Sequence, residues 1–246
     1  TLGMEYIKQL GVTHIQLMPL YDFGSVDENH TELVYNWGYD PMQYNLPDGS
    51  FATNPHDPYT RIVELQEAIA AYHQADISVI MDVVYNHVYD PKAYAFEKIV
   101  PGYFFRYDHN GNLTNGTFCG NDVASERAMV RSYIKHSLKQ WLTIYGFDGF
   151  RFDLATVLGR EKAGDKWNYN ADSKTLKDIV ALGNKNDVEM IAESWDTGDN
   201  SYQVGNFPAG WGGWNGRYRD TIRSYIGTGN RSVSGKGNVN DFINGD

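Results

Sequence analysis

Four short apolar runs punctuate the chain, at 13–20 (THIQLMPL), 77–84 (ISVIMDVV), 146–154 (GFDGFRFDL) and 188–194 (VEMIAES). Each is nearly continuous, the pattern of a parallel strand whose sheet is covered by helices. A weaker fifth candidate lies at 212–216. Between these runs the apolar spacing becomes helical. Residues 59–74 place Ile62, Leu65, Ala68, Ile69 and Tyr72 on one face, and residues 125–145 carry a stripe that includes Met129, Ile134, Leu138 and Trp141. Ser125 is a predicted N-cap for this longer helix and Gly146 its stop. Shorter helices are predicted at 174–182 and 217–226, and the chain opens inside a helical pattern, TLGMEYIKQLGV. Strands alternating with helices imply βαβ units with right-handed crossovers.

The connections are asymmetric. Those following the first two strands, 21–58 and 85–121, are long and rich in aromatics, Gly, Pro, Asn and Asp, whereas those entering strands (QADIS, NKND) are short. Long loops at the C-terminal ends of strands are where a barrel or a doubly wound sheet assembles its site. Residues 1–246 are therefore expected to form a single α/β domain. Five strands occupy nearly the whole length, and a complete (β/α)8 barrel needs eight, so the prediction is a partial barrel or a smaller open sheet. The polar, irregular end, 227–246, takes no assignment. With no initiator Met and a helical pattern already under way, the chain is expected to be part of something longer.

Composition narrows the partners. The chain has 246 residues, 41% hydrophobic, enough for one sizeable core. A formal net charge of −10 without a basic tract argues against nucleic acid and against an anionic membrane surface. No run approaches transmembrane length. Cys119 is the one cysteine, so no intrachain disulfide can form. Eighteen Tyr and six Trp fall largely in loops, densest at 34–45 and 206–216. Flat rings there can hold the apolar faces of sugars or can simply pack the loops.

The candidate chemistry lies at strand ends. Alternation puts Arg151 and Asp153 on one face of their strand, with Phe150 and Phe152 on the other. Two readings are open, a structural ion pair or a reaction centre in which Arg151 lowers the pKa of Asp153 and keeps it ionised. Glu193 lies among apolar neighbours, so its pKa should be raised and it should be able to hold a proton. If their strands are adjacent, about 4.8 Å apart, two such carboxyls suit a retaining glycosidase, which needs them about 5–5.5 Å apart. Asp82, Asn86 and His87 mark where another strand gives way to its loop. Zinc is unsupported, because no second His or Cys stands at ligand spacing.

The ordered segments DVVYNH (82–87), GFRFDL (149–154) and IAESW (191–195) closely resemble three signature regions of the α-amylase superfamily of glycoside hydrolases. YNWGYDP (35–41), GVTHIQLMPLYDFGSVDE and NGTFCGNDVASERAMVR resemble type I pullulanases. From about Trp141 onward, GFRFDLATVLGR, IAESWDTG, YQVGNFP and WNGRYRDTIR look more like isoamylases and bacterial glycogen debranching enzymes. The resemblance implies a (β/α)8 barrel, apparently strands two to six of it, and retaining hydrolysis of α-1,6 branch linkages in α-glucans such as pullulan, amylopectin or glycogen. By position, Asp153 matches the nucleophile that forms a covalent glycosyl-enzyme, Glu193 the general acid/base and Arg151 the arginine that orients the nucleophile. Asp82 and His87 match groups that hold sugar hydroxyls, Asn86 a structural partner, and Tyr39 the ring on which the sugar stacks. Trp37 and Trp195 are further expected contacts. No cofactor is required, and a structural calcium, although possible, has no support in the sequence. Oligomeric state and compartment stay open.

The family also uses a third carboxylate, an Asp after a His at the seventh strand. No His-Asp occurs in the last forty residues. If these residues were the whole polypeptide, weak or absent hydrolysis would be expected, leaving a non-catalytic glucan-binding unit as the alternative. An α-1,4-acting or branching enzyme of the same superfamily is a third.

Overall fold

A computed structural model describes residues 2–29 and 35–227; the irregular end from 228 onward lies outside the described residues. Helix α1 (Leu2–Leu10) leads into β1 (His14–Leu17). A hairpin follows, β2 (Tyr21–Phe23) against β3 (Pro41–Pro47), and then α2 (Pro58–His73) and β4 (Ser78–Val83). Helices α3 (Ala95–Ile99) and α4 (Ala128–Gln140) precede β5 (Gly149–Phe152). A second hairpin pairs β6 (Arg160–Ala163) with β7 (Lys166–Tyr169), and α5 (Lys174–Asn186), β8 (Glu189–Ala192), β9 (Gly212–Gly213) and α6 (Gly216–Gly227) complete the order.

The main sheet has five parallel strands in the order β1-β4-β5-β8-β9, each neighbour reached across a helix or a long connection. This is the partial α/β arrangement expected from the strand count, including the weak fifth strand, which shrinks to two glycines. The strands are shorter than the apolar runs because residues beyond their ends stay buried in loops. β1 departs from expectation more sharply: it alternates exposed and half-buried residues. It forms one edge of the sheet, and an edge strand leaves part of its surface uncovered.

Helix starts follow local chemistry. At α2, Pro58 occupies the first turn and the Asp57 carboxylate accepts from the Tyr59 amide. At α5, Ser173 accepts from the Leu176 amide. Ser125 does not cap α4, which begins after Arg127 without a side-chain cap. Ser125 is buried instead, its hydroxyl donating to the Leu158 carbonyl at 3.0 Å and accepting from Arg106. The stripe continues past α4 through a π-turn, Trp141–Tyr145, and stops at Gly146, whose φ of +81° suits a glycine end.

The core gathers β4 and β5 with an aromatic cluster of Tyr21, Tyr44, Tyr85 and Trp141, ring centroids 5.0–5.7 Å apart. Within this cluster, Trp141 Nε1 donates to the Tyr44 carbonyl at 2.8 Å and the Tyr85 hydroxyl to Ser137 at 2.8 Å. Outside the core, Asp22, Glu28 and Asp48 bring carboxylate oxygens within 4.8 Å of one another, and Arg61 grips Glu28 with two hydrogen bonds of 2.8 Å. This cluster ties the first hairpin to α2. Burial, with repulsion from Asp48 and Glu28, pushes the Asp22 carboxyl up to about 6.

Asp22 is therefore protonated more readily folded than unfolded, and its ionised form costs stability once pH rises through about 6. Asp22→Asn should raise stability in denaturant titrations at pH 7–8 and leave it unchanged near pH 4. An equal effect at both pH values would refute this.

Candidate active site

Register brings the motif residues together. β4 and β5 pair so that Asp82 lies opposite Arg151, and β5 and β8 pair so that Phe152 lies opposite Ala192. Asp153 and Glu193, one residue beyond those strand ends, therefore emerge side by side. Ladder bonds continue through them, from Asp153 N to the Val83 carbonyl and from Glu193 N to the Phe152 carbonyl, both at 3.0 Å. Leu154 then turns with φ +41°, a left-handed conformation rare for leucine. The turn aims its amide at Glu193 Oε2, 2.8 Å away.

Arg151, 3% exposed, is the hub. Its Nη1 donates to both carboxylate oxygens of Asp82 at 2.8 Å and reaches Asp153 Oδ1 at 3.3 Å, while Nη2 lies 2.8 Å from Glu193 Oε2. The expected contrast, one acid beside an arginine and the other among apolar groups, is thus not what separates the two carboxyls, since a single guanidinium touches both. The Trp214 ring covers Arg151 with its centroid 4.1 Å from Cζ.

Asp153 also accepts two hydrogen bonds from Asn86 Nδ2, at its carbonyl (2.7 Å) and at Oδ2 (2.9 Å). Burial nevertheless raises its pKa above the ordinary carboxylate value; Arg151 and Asn86 oppose this without overcoming it. The expectation that Arg151 lowers the pKa of Asp153 is corrected accordingly: its pull is downward, but burial outweighs it. Burial raises Glu193 as expected, and repulsion from Asp153 adds to it. Both carboxyls are thus raised, with burial the first cause in each, and they titrate as a pair.

Asp82 is buried and accepts from the Tyr39 hydroxyl at 2.7 Å and from Gln16 Nε2 at 3.4 Å. His87 is also buried: Nε2 donates to the Tyr39 carbonyl at 2.9 Å, and Nδ1 lies 2.5 Å from Asn86 Oδ1. Both ring nitrogens are engaged, so His87 fixes Tyr39 and Asn86. Tyr39 is half-buried with its hydroxyl at the site, whereas Trp37 is 63% exposed. Trp195 stacks on Tyr202 at 6.0 Å with planes 4° apart. Asp153, Glu193, Arg151, Asp82, Asn86 and Tyr39 converge, and the Trp195 amide donates to the Glu193 carbonyl at 2.9 Å.

Sequence patterns did not single out Trp214, Gln16, Leu154 or Tyr44, whose hydroxyl donates to the His87 carbonyl at 2.5 Å. The aromatic density at 206–216 was the one signal, and it pointed to Trp214 without a partner. Arg61 already lies against the one acid cluster among the described residues that is compact enough to share an ion. No helix of the described residues is long and apolar enough to cross a membrane.

The parallel α/β sheet presents paired acids at adjacent strand ends, and comparison with known proteins shows which proteins the chain resembles. The family of α-amylase catalytic domains matches residues 1–109. A pullulanase of Bacillus subtilis (strain 168) is 42% identical over 90% of this chain and 30% of its own length; a glycogen debranching enzyme of Enterobacter sp. (strain 638) is 35% identical over 90% and 33%. Among solved structures, a pullulanase of Anoxybacillus sp. LM18-11 in complex with maltotetraose aligns with a TM-score of 0.83 at 42% identity, covering 97% of this chain and 35% of that one. A pullulanase of Paenibacillus barengoltzii, in complex with maltohexaose and α-cyclodextrin, gives 0.78 at 40%, covering 89% and 34%. The chain is thus similar to pullulanases and glycogen debranching enzymes, and its residues 1–109 match the α-amylase catalytic domain. It spans about a third of the length of those relatives.

Removing the hub should leave three buried acids uncompensated. Arg151→Met should cost about 3–5 kcal/mol at pH 7, the usual effect of breaking a buried pair from one side. The loss should shrink toward pH 4 as the acids take up protons. Denaturant titrations at both pH values check this; a pH-independent loss would mean that packing alone is involved.

Proposed function

We propose that this site hydrolyses α-1,6-glucosidic branch linkages in α-glucans with retention of configuration. The observation that carries the proposal is the placement of Asp153 and Glu193 on neighbouring strand ends around one arginine. Strands about 4.8 Å apart put two carboxyls near the roughly 5–5.5 Å that a double displacement uses.

Glu193, as the acid, donates a proton to the glycosidic oxygen while the Asp153 carboxylate attacks the anomeric carbon. The branch-point glucan leaves with the proton, and the donor sugar stays as an ester on Asp153. Glu193, now ionised, takes a proton from water, whose oxygen attacks the same carbon and frees Asp153. Arg151 holds the nucleophile, and Asn86 fixes its carboxylate from the other side. Asp82 and Tyr39 form the adjoining polar and aromatic wall for the sugar. The names of the relatives support branch linkages as the substrate class, and the oligosaccharides in the solved pullulanase complexes support α-glucan as the ligand.

Reducing-end release from pullulan and amylopectin, with linear maltotriose as control, tests the proposal. Asp153→Asn and Glu193→Gln should each lower kcat by on the order of 10²–10⁴, and the first sugar released should keep the α configuration by NMR. Cleavage of maltotriose alone would overturn the branch specificity. Full activity in Asp153→Asn would overturn the mechanism.

A further inference from the structure

The loop Asn115–Asn121 bridges the two sides of the site. On one side, Asn121 is fully buried and holds Val88 through two hydrogen bonds, Val88 N to Oδ1 at 3.0 Å and Nδ2 to the Val88 carbonyl at 2.7 Å. Val88 lies two residues after Asn86, which grips Asp153. On the other side, Thr197, four residues after Glu193, donates its hydroxyl to the Gly116 carbonyl at 2.6 Å. The loop is therefore tethered to the segments that follow β4 and β8, the two strands flanking β5, whose end carries Asp153. Consistent with this, the Asp153 charge is felt at Cys119.

The interior of the loop is rigid. The buried Asp122 carboxylate accepts from the Thr114 hydroxyl and from the Gly116 and Thr117 amides at 2.7–2.9 Å, and Asn115 Oδ1 accepts from the Gly120 amide at 2.7 Å. At its apex stands Phe118, with φ +62° and 80% exposure. Left-handed backbone is unfavourable for a bulky residue, and a ring in water gains nothing from burial. Such an outlier persists where the surroundings enforce it, and outliers of this kind cluster at ligand sites.

We propose that Phe118 is a sugar platform at the mouth of the site, a specificity-determining residue whose ring covers the apolar face of a glucosyl unit next to the bond that breaks. This rests on the α-glucan reading of the site. The rigid loop spends its strain in advance, so the ring is in place before the ligand arrives.

The test is calorimetric titration with maltotetraose in an Asp153→Asn background, where turnover is blocked, comparing the parent with added Phe118→Gly and Phe118→Tyr. The glycine variant should bind about tenfold more weakly, the scale of one lost aromatic contact, and tyrosine should bind within about twofold of the parent. Because glycine accepts φ +62° without strain, its Tm should equal or exceed the parent's. Saturating maltotetraose should also slow alkylation of the neighbouring Cys119 by N-ethylmaleimide. If the parent binds no maltotetraose, the α-glucan reading falls, and the platform with it. If the parent binds but the glycine variant binds equally well, or Cys119 stays unprotected, the platform alone falls.

Discussion

One guanidinium holds this structure's chemistry in place. Arg151 is almost wholly buried yet faces three acids, Asp82, Asp153 and Glu193, contributed by three adjacent strands. Burying such a group costs several kcal/mol, and a hydrophobic replacement is often no less stable. What the arrangement achieves is position: each carboxyl is fixed relative to the others by a planar, multiply bonded cation. With three acids around one base, burial raises the pKa of each acid and the arginine opposes it.

Around this hub, support comes from contacts that begin in the core. Tyr44 reaches from the aromatic core to the His87 carbonyl, His87 holds Tyr39 and Asn86, and these two hold Asp82 and Asp153. The chain of contacts runs unbroken from buried packing to the reacting acids. Second-tier order of this kind lets a long, polar connection act as a rigid part of the site, because its backbone groups are satisfied by buried side chains and not by water. The loop carrying Phe118 follows the same logic through Asn121 and Asp122.

Much of this was legible in the chain itself. Continuous apolar runs located four of the five strands of the main sheet, and period-two alternation put Arg151 and Asp153 on one face. The two hairpins were missed because their strands are short and sit in stretches dense in turn residues, where alternation has no length to show itself. Ser125 was misjudged as a cap because a buried hydroxyl with tertiary partners looks, in sequence, the same as a capping one. The titration of Asp153 was misjudged for a related reason: the sequence displays its arginine neighbour two residues away but not the depth of its burial, and here burial prevails.

Residue types and their periodicities determined the α/β class, the strand ends that carry chemistry, and the identity of the paired acids. Those follow from local physics, since side-chain alternation and apolar continuity are written residue by residue. Only the tertiary structure decided that one arginine serves both acids and Asp82 as well, that His87 is buried against Tyr39 and Asn86, and that Trp214 covers that arginine. Each of these depends on the register of strands and loops far apart in sequence, which no local pattern encodes.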